Sequence, residues 1–391
     1  MTTAVLPAPD TRIRGSWPAV VAVMAGIFVI VTTEILPIGL LTSIGSSFAI
    51  SDGMAGLMMT MPGFLAAVAA PLVTVATARF DRRLMLCLLI LVLAVANVLA
   101  AVAETYALLL VSRVLVGVVI GGFWSIGAGL ADRLVPAASV GRATAVIFSA
   151  VPLGSVLGVP AGTLIGDLAG WRTAFVVLGV SSALVLAALA FTLPRLPAQA
   201  ATRPGVLLGL LRGVDTRFAL AATFLIVLAH FGAYTYVTPF LEQVTGTGPA
   251  VVTVVLLVYG AAGIAGNLVL GGLVGRFPRA AFALAALAIG AATLLLPVLG
   301  HGPAGAVVLL VVWGAAYGGV PVCSQTWFAN AAPGAREASS VLFTASFQAT
   351  IGFGALLGGA VVDRSSVSAV MVAAGVTALL MAVLVGLRKA A

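Results

Sequence analysis

Apolar residues run along this chain in long stretches separated by short polar breaks. A helix needs about 20 mostly apolar residues to cross a bilayer. Twelve stretches meet that length. In the first half they are 17–42, 54–77, 84–103, 106–130, 142–166 and 171–193; in the second they are 217–241, 249–274, 280–299, 303–330, 337–361 and 366–387. The expected fold is all-α and integral to the membrane. Two six-helix bundles, 1–193 and 217–391, are joined by a polar linker, 194–216, that carries Pro194, Pro197, Pro204 and three arginines.

The punctuation between the stretches repeats. Shifted by 197 residues, Arg79-Phe80-x-Arg82 falls on Arg276-Phe277-x-Arg279. Gly63 falls on Gly260, and Gly117, Gly121 and Gly122 fall on Gly314, Gly318 and Gly319. Each Arg-Phe-x-Arg copy follows the second stretch of its half. The chain reads as a tandem duplication, and two homologous halves around a central site are a common plan of secondary transporters.

Composition agrees with a bilayer as solvent. Hydrophobic residues make up 62% and charged residues 8% of the 391, against roughly 25% charged in soluble domains. The arginines are one-sided. If the N-terminus is cytoplasmic, 16 of the 19 basic residues fall on cytoplasmic segments, Arg172 and Arg364 lie outside, and Arg113 lies within a span. Such a bias sets orientation, so the net charge of +8 needs no nucleic-acid partner. Cys87 and Cys323 both lie in apolar stretches, and no disulfide framework is expected. The first stretch reads as an uncleaved helix rather than a signal peptide. No phosphate-cradling glycine loop, metal-ligand cluster or hydrolase elbow is present. An enzyme, a cofactor and a metal site are therefore not expected; an ion gradient would supply energy, or transport would be passive.

Twelve spans in two repeats with arginine-rich breaks after spans two and eight resemble the major facilitator superfamily. The break Arg79-Phe80-Asp81-Arg82-Arg83 resembles its cytoplasmic gating loop, with Ala78 where an acidic residue is usual and Asp81 where a glycine is usual. By that resemblance Arg79, Asp81, Arg82, Arg83, Arg276 and Arg279 belong to gating motifs. Ser112-Arg113 through Gly117, Gly121 and Gly122 resembles the fourth-helix motif. Gly154, Gly158, Pro160 and Gly162 resemble the fifth-helix motif of antiporters, the proline standing one position late. Thr32-Thr33-Glu34-Ile35-Leu36-Pro37-Ile38-Gly39-Leu40-Leu41 resembles the first helix of bacterial sugar-efflux and arabinose-efflux-type transporters, and Ala229-His230-Phe231-Gly232-Ala233-Tyr234-Thr235-Tyr236-Val237-Thr238-Pro239-Phe240 is similar to the seventh helix of the sugar-efflux branch. Gly121-Gly122-Phe123-Trp124-Ser125 and Gly170-Trp171-Arg172 are similar to a purine-ribonucleoside efflux pump. The resemblance implies a monomer in the bacterial inner membrane. It also implies a cavity lined by spans 1, 4, 7 and 10.

Single residues sharpen this. Glu34 is the one acidic residue well inside a span. A charge there costs several kcal/mol unless it is paired or hydrated. Either it takes up and releases a coupling proton, or it is a polar anchor before the Pro37 kink. Arg113 lies about 10 Å below the outer surface at 1.5 Å per residue, a depth comparable to that of Glu34. A Glu34–Arg113 pair would be a proton-operated switch or a static contact. His230 either carries a proton, binds solute, or donates one interhelical hydrogen bond. Tyr234 shares its helical face. Trp124, Gln325, Trp327 and Gln348 are candidate solute contacts, since rings stack on sugar or base faces and amides bond hydroxyls; each could equally be packing. The expected function is export of a small organic solute in exchange for protons. Symport, uncoupled diffusion, and a membrane-embedded sensor or enzyme are the alternatives.

Both termini should be cytoplasmic. A reporter active only in the periplasm, fused to Ala391, is expected to stay silent; a strong signal contradicts the twelve-span count.

Overall fold

A computed structural model describes residues 16–76, 80–127, 130–197 and 209–387. Among these, twelve helices are long and apolar enough to cross a membrane: α1 (Trp17–Gly39), α2 (Asp52–Val73), α3 (Arg82–Ala101), α4 (Tyr106–Gly127), α5 (Ala137–Ala169), α6 (Trp171–Thr192), α7 (Val214–Tyr234), α8 (Pro249–Val274), α9 (Pro278–Leu299), α10 (Pro303–Ala331), α11 (Ala338–Arg364) and α12 (Val367–Leu387). Each falls on one predicted stretch. Helices dominate because lipid offers no hydrogen bonds, so a spanning segment must pair its main chain within itself.

Several predicted stretches are divided, the first and seventh among them. The first ends at Gly39, and a separate helix follows from Leu41 to Phe48. The seventh ends at Tyr234, and Val237–Gln243 continues it. Prolines lie near both breaks. Pro37 and Pro239 cannot donate to the carbonyl four residues back and crowd it. Within α5, the glycine-rich stretch Gly154–Gly158 is a π-helical turn, a bulge that loosens the ladder just ahead of Pro160.

The duplication carries through to contacts. A Cβ added to Gly117 would strike Pro62 on α2, and one on Gly121 would strike Ala66. In the second half, Gly314 stands in the same relation to Tyr259, and Gly318 to Gly263, 197 positions later in each case. These glycines are needed because α4 on α2, and α10 on α8, approach to backbone contact.

Buried side chains form two large clusters. One draws on residues between Ala19 and Leu196. The other draws on residues between Ala219 and Val385, together with Ile38, Met59 and Val159. Between the halves, α2 packs along α11 and α5 against α8. The loops ending α1, α7 and α11 mark the face opposite the arginine-rich breaks, and there the halves are bonded. Thr42 Oγ1 donates to Glu242 Oε1 at 3.2 Å. Gln243 Nε2 donates to Asp52 Oδ2 at 2.9 Å. Asp363 accepts from Ser51 Oγ at 2.8 Å and from the Gly53 main-chain N–H at 3.0 Å. Thr238 Oγ1 donates to the Ile38 carbonyl at 2.8 Å. Leu41, Ala55, Tyr236 and Val370 form a small apolar cluster beside them.

Glu242 makes this face sensitive to pH. Burial pushes its carboxyl above the usual carboxylate range; the Thr42 hydroxyl opposes this and nearby Asp52 adds to it. A carboxyl that holds its proton more tightly here than when hydrated favours this state as pH falls. Spin labels at Ser43 and Gly248, with Cys87 and Cys323 replaced, should report a larger close-distance population at about pH 5 than at about pH 7. Glu242→Gln should flatten that difference; an equal pH response in the variant contradicts the assignment.

Candidate functional site

Five residues before its end at Gly39, α1 carries Glu34, which is 7% exposed. Its carboxylate Oε1 accepts from Gln348 Nε2 on α11 at 3.0 Å. This bond joins the two halves at the depth where Glu34 was expected. The predicted Glu34–Arg113 side-chain pair is not what forms. Arg113, fully buried on α4, points its guanidinium at main chain. Its Nη2 donates to the carbonyls of Thr33 at 2.9 Å and Glu34 at 3.2 Å, and its Nε to that of Met58 at 3.2 Å. The reason is local: Pro37 and Pro62 remove the N–H groups that would ordinarily pair the Thr33 and Met58 carbonyls. Nη1 is buried without a partner. Next to it, Asn97 on α3 donates to Thr33 Oγ1 at 3.2 Å and to Ser182 Oγ at 3.4 Å, tying α1, α3 and α6 together.

Across the interface, His230 on α7 sits in an aromatic box and is 1% exposed. Tyr317 lies flat against its ring, with centroids 3.3 Å apart and planes 5° apart. Tyr234 stacks at 4.9 Å, and Phe231 stands edge-on at 4.7 Å. Tyr259 stacks on Tyr234 at 4.6 Å. Trp313 Nε1 donates to His230 Nδ1 at 3.1 Å. Nδ1 is thus an acceptor, and the imidazole is neutral with its proton on Nε2. Of the readings left open for His230, an interhelical hydrogen bond is the one observed, with His230 as the acceptor rather than the donor.

The other expected site residues lie elsewhere. Trp124 packs against Phe148 at 6.0 Å within the first half. Trp327 stacks on Phe218 at 5.2 Å, meets Phe282 edge-on at 5.4 Å, and donates to the Pro278 carbonyl at 3.2 Å. Gln325 is exposed. In the gating loop, Arg79 lies outside the described residues. Asp81 caps α3 by accepting from the Arg83 N–H at 2.8 Å, and it also accepts from the Leu196 N–H at 3.1 Å. The Arg82 N–H donates to the Leu196 carbonyl at 2.9 Å, and the Arg83 guanidinium caps the Ala190 carbonyl. The loop therefore holds the end of α6. Arg276 is exposed and Arg279 half-buried at the start of α9. On α5, Gly154, Gly158 and Gly162 face Val31, Thr32 and Leu36 of α1, and Pro160 is buried beside them.

Tyr259, Trp313 and Tyr317 were not nominated from sequence. A signal existed: Trp313 and Tyr317 stand four apart on α10, as His230 and Tyr234 do on α7. Such pairs share one helical face.

The profile of the Major Facilitator Superfamily matches residues 21–341. "Transcription regulatory protein OpdE" of Pseudomonas aeruginosa is 36% identical over 374 residues, covering 95% of this chain and 93% of that protein. A solved bacterial homolog of the human lysosomal transporter Spinster, in an inward-facing and unoccupied conformation, matches with a TM-score of 0.73 at 17% identity. That match covers 94% of this chain and 95% of the other. The chain belongs to the Major Facilitator Superfamily. It is a multi-pass membrane transporter, not an enzyme.

The Trp313–His230 bond sets an ordering. His230→Ala leaves a buried N–H unpaired, which costs roughly 1–3 kcal/mol. His230→Asn keeps an acceptor near the Nδ1 position. Thermal unfolding in detergent should rank parent above His230→Asn above His230→Ala; equal losses in the two variants contradict the bond.

Proposed function

We propose that this transporter exports a small organic solute in exchange for protons, with Glu34 as the coupling group. The Glu34–Gln348 bond carries this reading. It places a titratable group on one half and its partner on the other. A hydrogen bond to an ionised group contributes roughly 1.5–3 kcal/mol, against about 0.5–1.5 kcal/mol for a neutral pair. Protonating Glu34 therefore changes the energy of a contact between the halves, and proton binding and rearrangement become reciprocally linked. One proton crossing 100 mV releases about 2.3 kcal/mol.

The arginine-rich face is taken as cytoplasmic in a bacterial inner membrane, both termini included. Bonding between the halves at the opposite face supports an inward-facing state. The solute is placed beside the aromatic box, where Tyr234, Tyr259 and Tyr317 offer ring faces and hydroxyls suited to a sugar, a nucleoside or a planar drug. The two bundles and their linker act as rocking units, the chain works as a monomer, and no nucleic acid takes part. Trp124, Gln325 and Trp327 lie away from the box and fit packing or entry roles better than solute contact.

A second reading is a membrane-embedded regulator, favoured by the name of the 36%-identical relative. Proteoliposomes separate the two, using a solute found by thermal-shift screening of purified protein. A carrier moves the solute and a sensor only binds it. Glu34→Gln keeps size and hydrogen bonding but cannot titrate. It should abolish uphill, proton-driven transport while leaving downhill exchange largely intact. Uphill transport by Glu34→Gln at the parent rate would sink the coupling assignment.

A further inference from the structure

Proline cannot donate a main-chain hydrogen bond, so each proline inside a helix leaves the carbonyl four residues earlier without its usual partner. Pro37 interrupts α1 and frees the Thr33 carbonyl; Pro62 interrupts α2 and frees the Met58 carbonyl. Arg113 reaches both of these carbonyls from α4, with Nη2 at 2.9 Å and Nε at 3.2 Å. We propose that Arg113 is a positioning residue that supplies from α4 the donors lost at Pro37 and Pro62.

The guanidinium suits this task. It is planar and offers five N–H groups in a fixed fork, so one side chain serves two helices. Nη2 also reaches the Glu34 carbonyl. The main chain of Glu34 is thereby pinned while its carboxylate stays free for Gln348. Arg113 acts on Glu34 through its backbone, and the role stands whether or not Glu34 carries a proton.

Two comparisons within the chain support this. Arg83 caps the Ala190 carbonyl, four residues before Pro194. In the second repeat, 197 positions on, Pro37, Pro62 and Arg113 correspond to Tyr234, Tyr259 and Leu310. Where both prolines are missing, the arginine is missing too.

The test is rescue by main-chain donors, on full-length protein in detergent. Arg113→Gln should lower the melting temperature by roughly 5–10 °C. Adding Pro37→Ala and Pro62→Ala restores both N–H groups and should recover at least half of that loss. The variant with only the two alanines should fold like the parent. If Arg113→Gln gives no folded protein, recovery of a monodisperse peak in the triple variant is the readout. The infrared carboxyl stretch of Glu34, identified by its loss in Glu34→Gln, should shift in Arg113→Gln and return in the triple variant. An arginine needed for its charge would not be replaced by two alanines. No gain in stability or folded yield in the triple variant, or an unshifted Glu34 stretch in Arg113→Gln, overturns the proposal.

Discussion

No water reaches the middle of a bilayer, so every main-chain N–H and C=O there needs a partner inside the protein. Twelve helices meet most of that demand. What remains collects where helices break, and those places are where the halves touch. The Ile38 carbonyl lies just before the break at Leu40 and accepts the Thr238 hydroxyl from the other half. The Gly53 N–H, in the first turn of its helix, donates to Asp363. Helix ends carry such orphan groups by geometry. A transporter whose halves must part gains from joining them through these groups: each bond is modest on its own, and water can replace it once the face opens.

The same constraint sorts the buried charges. A lone guanidinium or carboxylate in an apolar core costs several kcal/mol even after relaxation. Glu34 and Arg113 lie close enough to form the obvious pair, yet the carboxylate goes to an amide and the guanidinium to carbonyls. Carbonyls at proline kinks have no other donor, whereas a carboxylate can be served by any amide within reach. The arrangement leaves each group hydrogen-bonded without locking one to the other. It also leaves Nη1 of Arg113 buried without a partner.

Much of this was legible in the chain. Bilayer thickness forces about 20 apolar residues per span, so the twelve helices could be counted before any was seen. Arg-Phe-x-Arg and the glycines exposed the repeat, because close helix contacts tolerate nothing larger. Gln348 was nominated as a solute contact and not as the partner of Glu34. The two stand 314 residues apart, and nothing local links them. Tyr259 and Tyr317 were not nominated, since an aromatic in an apolar run carries no mark of what it faces. Pro37 was read as a kink, and the four-residue rule adds the Thr33 and Met58 carbonyls as acceptors in want of a donor. Which side chain would arrive depended on how α4 crosses α1 and α2, and that is a property of packing.

The repeat also shows where the halves have parted ways. Thr33, Pro37, Pro62, Val116 and Ile120 in the first half correspond to His230, Tyr234, Tyr259, Trp313 and Tyr317 in the second. The first set includes the two proline kinks whose freed carbonyls Arg113 reaches; the other is the aromatic box. Helices α7 and α8 keep their main-chain donors at these positions and fill the space with rings, so their side chains face one another as flat, hydrogen-bonding surfaces. Helices α1 and α2 give up the donors, and the space is taken by a cation. A duplicated scaffold thus yields one half suited to holding a charged group and one suited to holding a planar or polyhydroxylated solute. Under the proposed function, a proton held in one half and a solute held in the other meet across a single interface, which the Glu34–Gln348 bond spans.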